Sequence, residues 1–186
     1  IDLLRGPALR ANPLSSEIHH QLSYLFWFKI GEFQDDAAVF YQARLCQRWR
    51  GILGDPTEGN AARYVQILRK VAAAPTDWSL LPEQILEDPE VFQIVKSGWA
   101  EPEAMLVSGS DSVLSELSLS VRESIEALLR RRILEREMNM SVDLMLRISE
   151  EFGFVDWRTP AAHAVYWGIQ GALRETEAGL DARLGA

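Results

Sequence analysis

A chain of 186 residues can bury one sizeable core or two small ones. Its 47% apolar and 25% charged residues are those of a soluble globular protein, and its net charge of −8 works against binding nucleic acid or an anionic membrane surface. The single cysteine, Cys46, excludes an internal disulfide and a CxxC-type zinc site, and reads as a small, buried apolar residue.

Sixteen arginines against three lysines point to a GC-rich, bacterial genome. The most apolar run, Leu22 to Ile30, is broken by Ser23 and Lys29 and falls far short of the ~20 apolar residues that a spanning helix needs, so membrane insertion is not expected. The chain begins at Ile1 rather than methionine, as a fragment or processed product would. With no signal peptide in view, a cytoplasmic location is expected.

Taken in order, nearly every segment reads as helix. Ser15 or Ser16 caps a helix running to about Phe33. Asp35 and Asp36 open the next, through "AAVFYQARLCQRWRGIL", which stops at the turn "GDPTEGN". A third covers about Ala61 to Ala73. Three Pro-Glu pairs follow, Pro82-Glu83, Pro89-Glu90 and Pro102-Glu103, each suited to the start of a short helix: proline fits the first helical position and glutamate the positive end of the dipole. "VSGSDS" supplies Ser110 or Asp111 as cap for what reads as the longest helix, about Ser112 to Met138, with Leu114, Leu117, Val121, Ile125, Leu128 and Leu129 at helical spacing. Ser141 caps a shorter helix ending at Gly153, and Thr159-Pro160 opens the last one. No strand is evident. The expected fold is all-α: a compact single domain over residues 1–186 of roughly eight helices, mostly antiparallel neighbours, as a bundle or irregular α-array.

Two regions carry candidate sites. In "EIHHQ", Glu17 and His20 have the Glu-x-x-His spacing of a metal-binding helix, but a di-iron bundle needs a second such pair, and His163 is preceded at that spacing by Pro160. No metal and no cofactor are expected, and the histidines read as structural or interface residues. The same helix is apolar almost all round, through Ile18, Leu22, Tyr24, Leu25, Phe26, Trp27, Phe28, Ile30 and Phe33. Such a helix is normally central and buried; otherwise part of its aromatic surface, Tyr24 and Trp27 included, is covered by another protein.

The last helix separates into a strip of small residues (Ala161, Ala164, Gly168, Gly171, Ala172), an apolar arc, and a narrow polar sector of His163, Trp167, Gln170 and Arg174. Glycine inside a helix costs about 0.8–1 kcal/mol relative to alanine, so two of them imply close approach of a neighbouring helix. The polar sector reads either as a partly exposed edge, with Trp167 packed on a neighbour and Arg174 paired with an acid, or as a partner-contact edge, or as the wall of a pocket. "RRRILERE" has acids at the spacing that pairs Glu126 with Arg130 and Arg131 with Glu135, and reads as a solvated helix face rather than a nucleic-acid contact.

Phosphate loops, HExxH, GxSxG and CxxC are all missing from the sequence. The expectation is a helical module that binds another protein, or itself, as an adaptor, regulator or subunit. The alternative is a helical enzyme or small-molecule-binding protein with a pocket near His163 and Trp167, and a purely structural subunit is a third reading.

Overall fold

The structure, a computed structural model, describes residues 1–54, 61–107 and 113–184. Among these residues it is all-α, with no strand. The chain divides into two units, one made of Ile1–Trp49 with Val155–Ala186 and the other of Arg50–Phe154.

The first unit opens with a wide-turned π segment, Leu4–Ala8, running into the single turn α1 (Leu9–Ala11). The sequence gives no capping signal for it and Pro7 lies inside it. Helix α2 (Ser16–Tyr24) starts at the expected cap, Ser15, whose side chain accepts from Ile18 N–H. It continues as a π segment, Leu25–Gly31, and stops two residues short of Phe33, which lies in the left-handed region at φ 56°. In an α-helix a step of four residues drifts about 40° around the axis. The wider turn reduces that drift, so Leu22, Phe26 and Ile30 all stay on the buried side.

Helix α3 (Ala38–Leu53) follows, and the boundary between the two units falls within it. The unit closes with α10 (Pro160–Leu184), capped as expected by Thr159, whose hydroxyl accepts from Ala162 N–H and donates to Asp156 O. At 25 residues α10 is the longest described helix, in place of the expected 112–138 segment.

The second unit holds α4 (Ala61–Ala73), a 3-10 turn at Trp78–Leu80, α5 (Glu83–Leu86), α6 (Pro89–Ala100), α7 (Pro102–Val107), a 3-10 turn at Val113–Glu116, α8 (Leu119–Arg132) with its π continuation Ile133–Glu137, and α9 (Val142–Glu151). Two of the Pro-Glu pairs put proline at the first helical residue; Pro82 instead stands one position before its helix. The proposed Ser110 or Asp111 cap lies outside the described residues. The helix expected from Ser112 is interrupted at Leu117 and Ser118 because Ser115, Ser118 and Ser120 offer the backbone little helical preference. Leu114 nevertheless reaches the core that Leu81, Ile85, Val95, Ile125, Leu128 and Leu129 form.

The arginine run is not a solvated face. Glu126 and Glu135 do pair with Arg130 and Arg131, at 2.9 and 3.1 Å. In addition Arg130 Nε donates to Ile52 O at 2.7 Å, and Arg131 donates to Ala72 O and Ala74 O, so the two side chains satisfy carbonyls left over at the ends of α3 and α4. Arg132 lies over the Trp99 ring at 4.4 Å.

Candidate protein-binding surface

Of the strip of small residues on α10, Ala164, Gly168 and Gly171 face a neighbouring helix, whereas Ala161 and Ala172 are exposed. Ser23 on α2 donates its hydroxyl to Ala164 O at 2.7 Å, and a Cβ built on Gly168 would lie 3.3 Å from Ser23 Oγ. A Cβ on Gly171 would meet the His20 ring at 2.5–2.8 Å. One turn further on, His20 Nε2 donates to Glu175 at 3.1 Å. Residue numbers rise along α2 as they fall along α10, so the pair is antiparallel. His20 therefore closes a helix contact, and Glu17 stays exposed in the first turn of α2. Among the described residues no three His, Cys, Asp or Glu side chains gather to hold a metal ion.

The polar sector of α10 turns largely inward. His163 is 0% exposed and Trp167 1%. The His163 imidazole stacks on Phe26 at 4.7 Å, meets the Trp49 edge at 4.9 Å, and donates from Nε2 to Trp157 O at 3.0 Å. Burial drives its pKa down to about 3, against the Trp157 bond that favours the charged form, with Arg5 adding a smaller push downwards. This is a neutral, enclosed histidine, packed on all these sides by aromatic rings. Trp167 sits between Tyr166, at 4.9 Å, and His19, at 5.7 Å. His19 is itself buried and donates to Ser15 O; desolvation lowers its pKa. Only Gln170 and Arg174 remain half-buried at the margin, Gln170 donating to the Tyr166 hydroxyl at 3.3 Å and Arg174 pairing with Glu177 at 2.6 Å.

A cavity of about 450 Å³ does exist, but in the second unit, between α4 and α8. Its charged lining is already engaged: Lys70 with Glu123 at 2.8 Å, and Arg130 with Glu126. His163 and Trp167 belong to the first unit and do not line it.

The other two candidates, Tyr24 and Trp27, are each 45% exposed, so the apolar first helix is buried on one side only. Tyr24 contacts Phe28, also exposed, with ring centroids 4.9 Å apart. The following turn exposes Phe33, already counted on that apolar helix, and the start of α3 adds residues that sequence reasoning did not single out. Phe33 is 61% exposed, and Val39, Phe40 and Tyr41 are exposed at the start of α3. The signal for these was available: three consecutive large apolar residues at 39–41 cannot all face one side of a helix.

The turn is pinned. Gln42 Nε2 donates to Ile30 O at 2.6 Å, Asp35 Oδ1 accepts from Ala37 N–H at 2.8 Å, and Ala38 N–H donates to Asp35 O. The rings on either side are thus held on an ordered backbone. Fold and surface together define an all-α protein with an exposed aromatic surface. No family model matches the chain, and no curated protein or solved structure shows significant similarity to it.

Proposed function

We propose that the protein is a helical protein-binding module, an adaptor, regulator or subunit, that docks its partner on the aromatic surface of residues 24–41. The observation that carries this reading is concentration. Of the sixteen large apolar residues exposed among the described residues, seven fall within these eighteen positions, and six of the seven are aromatic. Aromatic side chains offer large contact area with few rotors to freeze, and they dominate binding hot spots. Phe33 adds a second argument. Holding a non-glycine residue in the left-handed region costs about 1–2 kcal/mol, and here that cost places a ring in solvent, where it contributes little to the fold.

Protein is favoured over nucleic acid as partner. The chain carries −8, and the one arginine-rich run is occupied with carbonyls, glutamates and a tryptophan ring. Among the described residues no helix is long and apolar enough to cross a membrane.

The test is affinity capture with the parent protein and with a Trp27→Ser/Phe28→Ser variant whose circular dichroism and melting match the parent. A protein retained by the parent and lost by the variant supports the reading. A partner captured equally by both would place the docking surface elsewhere.

A further inference from the structure

We propose that the segment docked on this surface is amphipathic and basic, a helix or strap whose aliphatic residues sit on the rings of Trp27 and Phe28 while its arginines reach the acidic turn between α2 and α3. The inference rests on the protein-binding reading above and adds the chemistry of the occupant.

Three acids, Glu32, Asp35 and Asp36, lie on the turn that separates Trp27 and Phe28 from Phe40 and Tyr41. Asp35 is occupied with Ala37 N–H, whereas Glu32 and Asp36 are exposed and form no ion pair among the described residues. The acids outnumber Lys29 and Arg44 by only one charge: Lys29 is exposed and forms no ion pair among the described residues, and the Arg44 guanidinium lies over the Phe40 ring at 5.6 Å. That contact shows the mode a partner arginine would use. A guanidinium is attracted to the negative face of an aromatic ring, and its fork then pairs with a carboxylate beside it. Tyr24, Trp27 and Phe33 offer exposed ring surface, and Glu32 stands in sequence between Trp27 and Phe33. The −8 charge of the chain acts over longer range in the same direction, steering basic partners in and slowing acidic ones.

The experiment uses the whole chain and two synthetic helical peptides with the same leucine face, one carrying arginine and the other glutamate on its polar face. Binding is followed by the anisotropy of a dye on the peptide. The leucine–arginine peptide is expected to bind and the leucine–glutamate peptide not. Glu32→Gln/Asp36→Asn should weaken binding about three- to tenfold, the size of one or two exposed ion pairs, and raised salt should shrink that difference. Trp27→Ser should weaken it about tenfold or more, as loss of an aromatic anchor does. Both variants should melt like the parent.

Equal, Trp27-dependent binding of the two peptides would overturn the basic occupant while leaving the docking surface standing. Binding of the arginine peptide that ignores Trp27→Ser would reduce the effect to general charge attraction and overturn the inference. Self-association of the protein alone, or co-sedimentation with phosphatidylcholine vesicles, lost in Trp27→Ser, would give the surface to a second copy or a lipid and overturn it too.

Discussion

Gly171 and His20 form a lock whose two halves are predicted to be coupled. Replacing Gly171 by alanine removes a glycine from the interior of a long helix, which alone stabilises by about 0.8–1 kcal/mol. The new Cβ, however, lands 2.5 Å from His20 Cε1 and under 3 Å from both ring nitrogens. The ring must swing out, taking with it the 3.1 Å contact to Glu175, and turning this partly exposed ring aside costs about 0.5–1.5 kcal/mol, as an off-rotamer side chain does. The His20–Glu175 bond adds little, because both side chains are substantially exposed. Gly171→Ala should therefore be close to neutral in the parent, within about 0.5 kcal/mol. In a His20→Ala background the clash is gone, and the same substitution should stabilise by about 1 kcal/mol. The coupling across the cycle is thus about 0.5–1.5 kcal/mol, above the few tenths expected for independent sites. Urea melts of the four proteins measure it. If Gly171→Ala stabilises both backgrounds equally, the helices do not approach as described.

Gly168→Leu, at the same interface, should cost about 1–3 kcal/mol or leave the protein insoluble, whereas Arg174→Ala should stay within about 0.5 kcal/mol, both read from thermal melting. His163 makes stability pH-dependent. Its folded pKa of about 3 lies below the unfolded value of 6.5, so the unfolded chain takes up a proton that the folded one refuses. The stability present above pH 6.5 should therefore fall as pH drops towards 3, by up to about 1.4 kcal/mol per unit from this group; His163→Phe should flatten that slope in urea melts at pH 7, 6 and 5, and an unchanged slope would show that His163 is not the buried group. Arg131→Met should cost about 1.5–3 kcal/mol in the same assay, because the carbonyls of Ala72 and Ala74 lose a charged donor.

What the sequence disclosed follows the range of the interactions involved. Caps at Ser15, Ser141 and Thr159 are local, and each helix starts where they indicate. The glycines of α10 were legible because glycine in a helix has a local cost that only a close neighbour explains. The fate of His163 was not. Its burial depends on Phe26, Trp49 and Trp157, which come from three separate segments, and a helical projection sees none of them. The arginine run divides the same way: its pairs four residues apart could be read, while the carbonyls it caps lie 57 to 78 residues away. On the first helix, periodicity showed too many apolar residues for one buried face. Which of them face solvent was set by the π turn from Leu25 and by the packing of α10, and neither has a sequence signature.

The docking surface is the central claim, and the most direct measurement of it is hydrogen–deuterium exchange on the protein with and without its captured partner. Protection is predicted within residues 24–41, strongest around Trp27 and the start of α3, with α4, α8 and the Gln170–Arg174 margin unchanged. Protection confined to the α4–α8 cavity or to that margin, with residues 24–41 exchanging as in the free protein, would contradict the account.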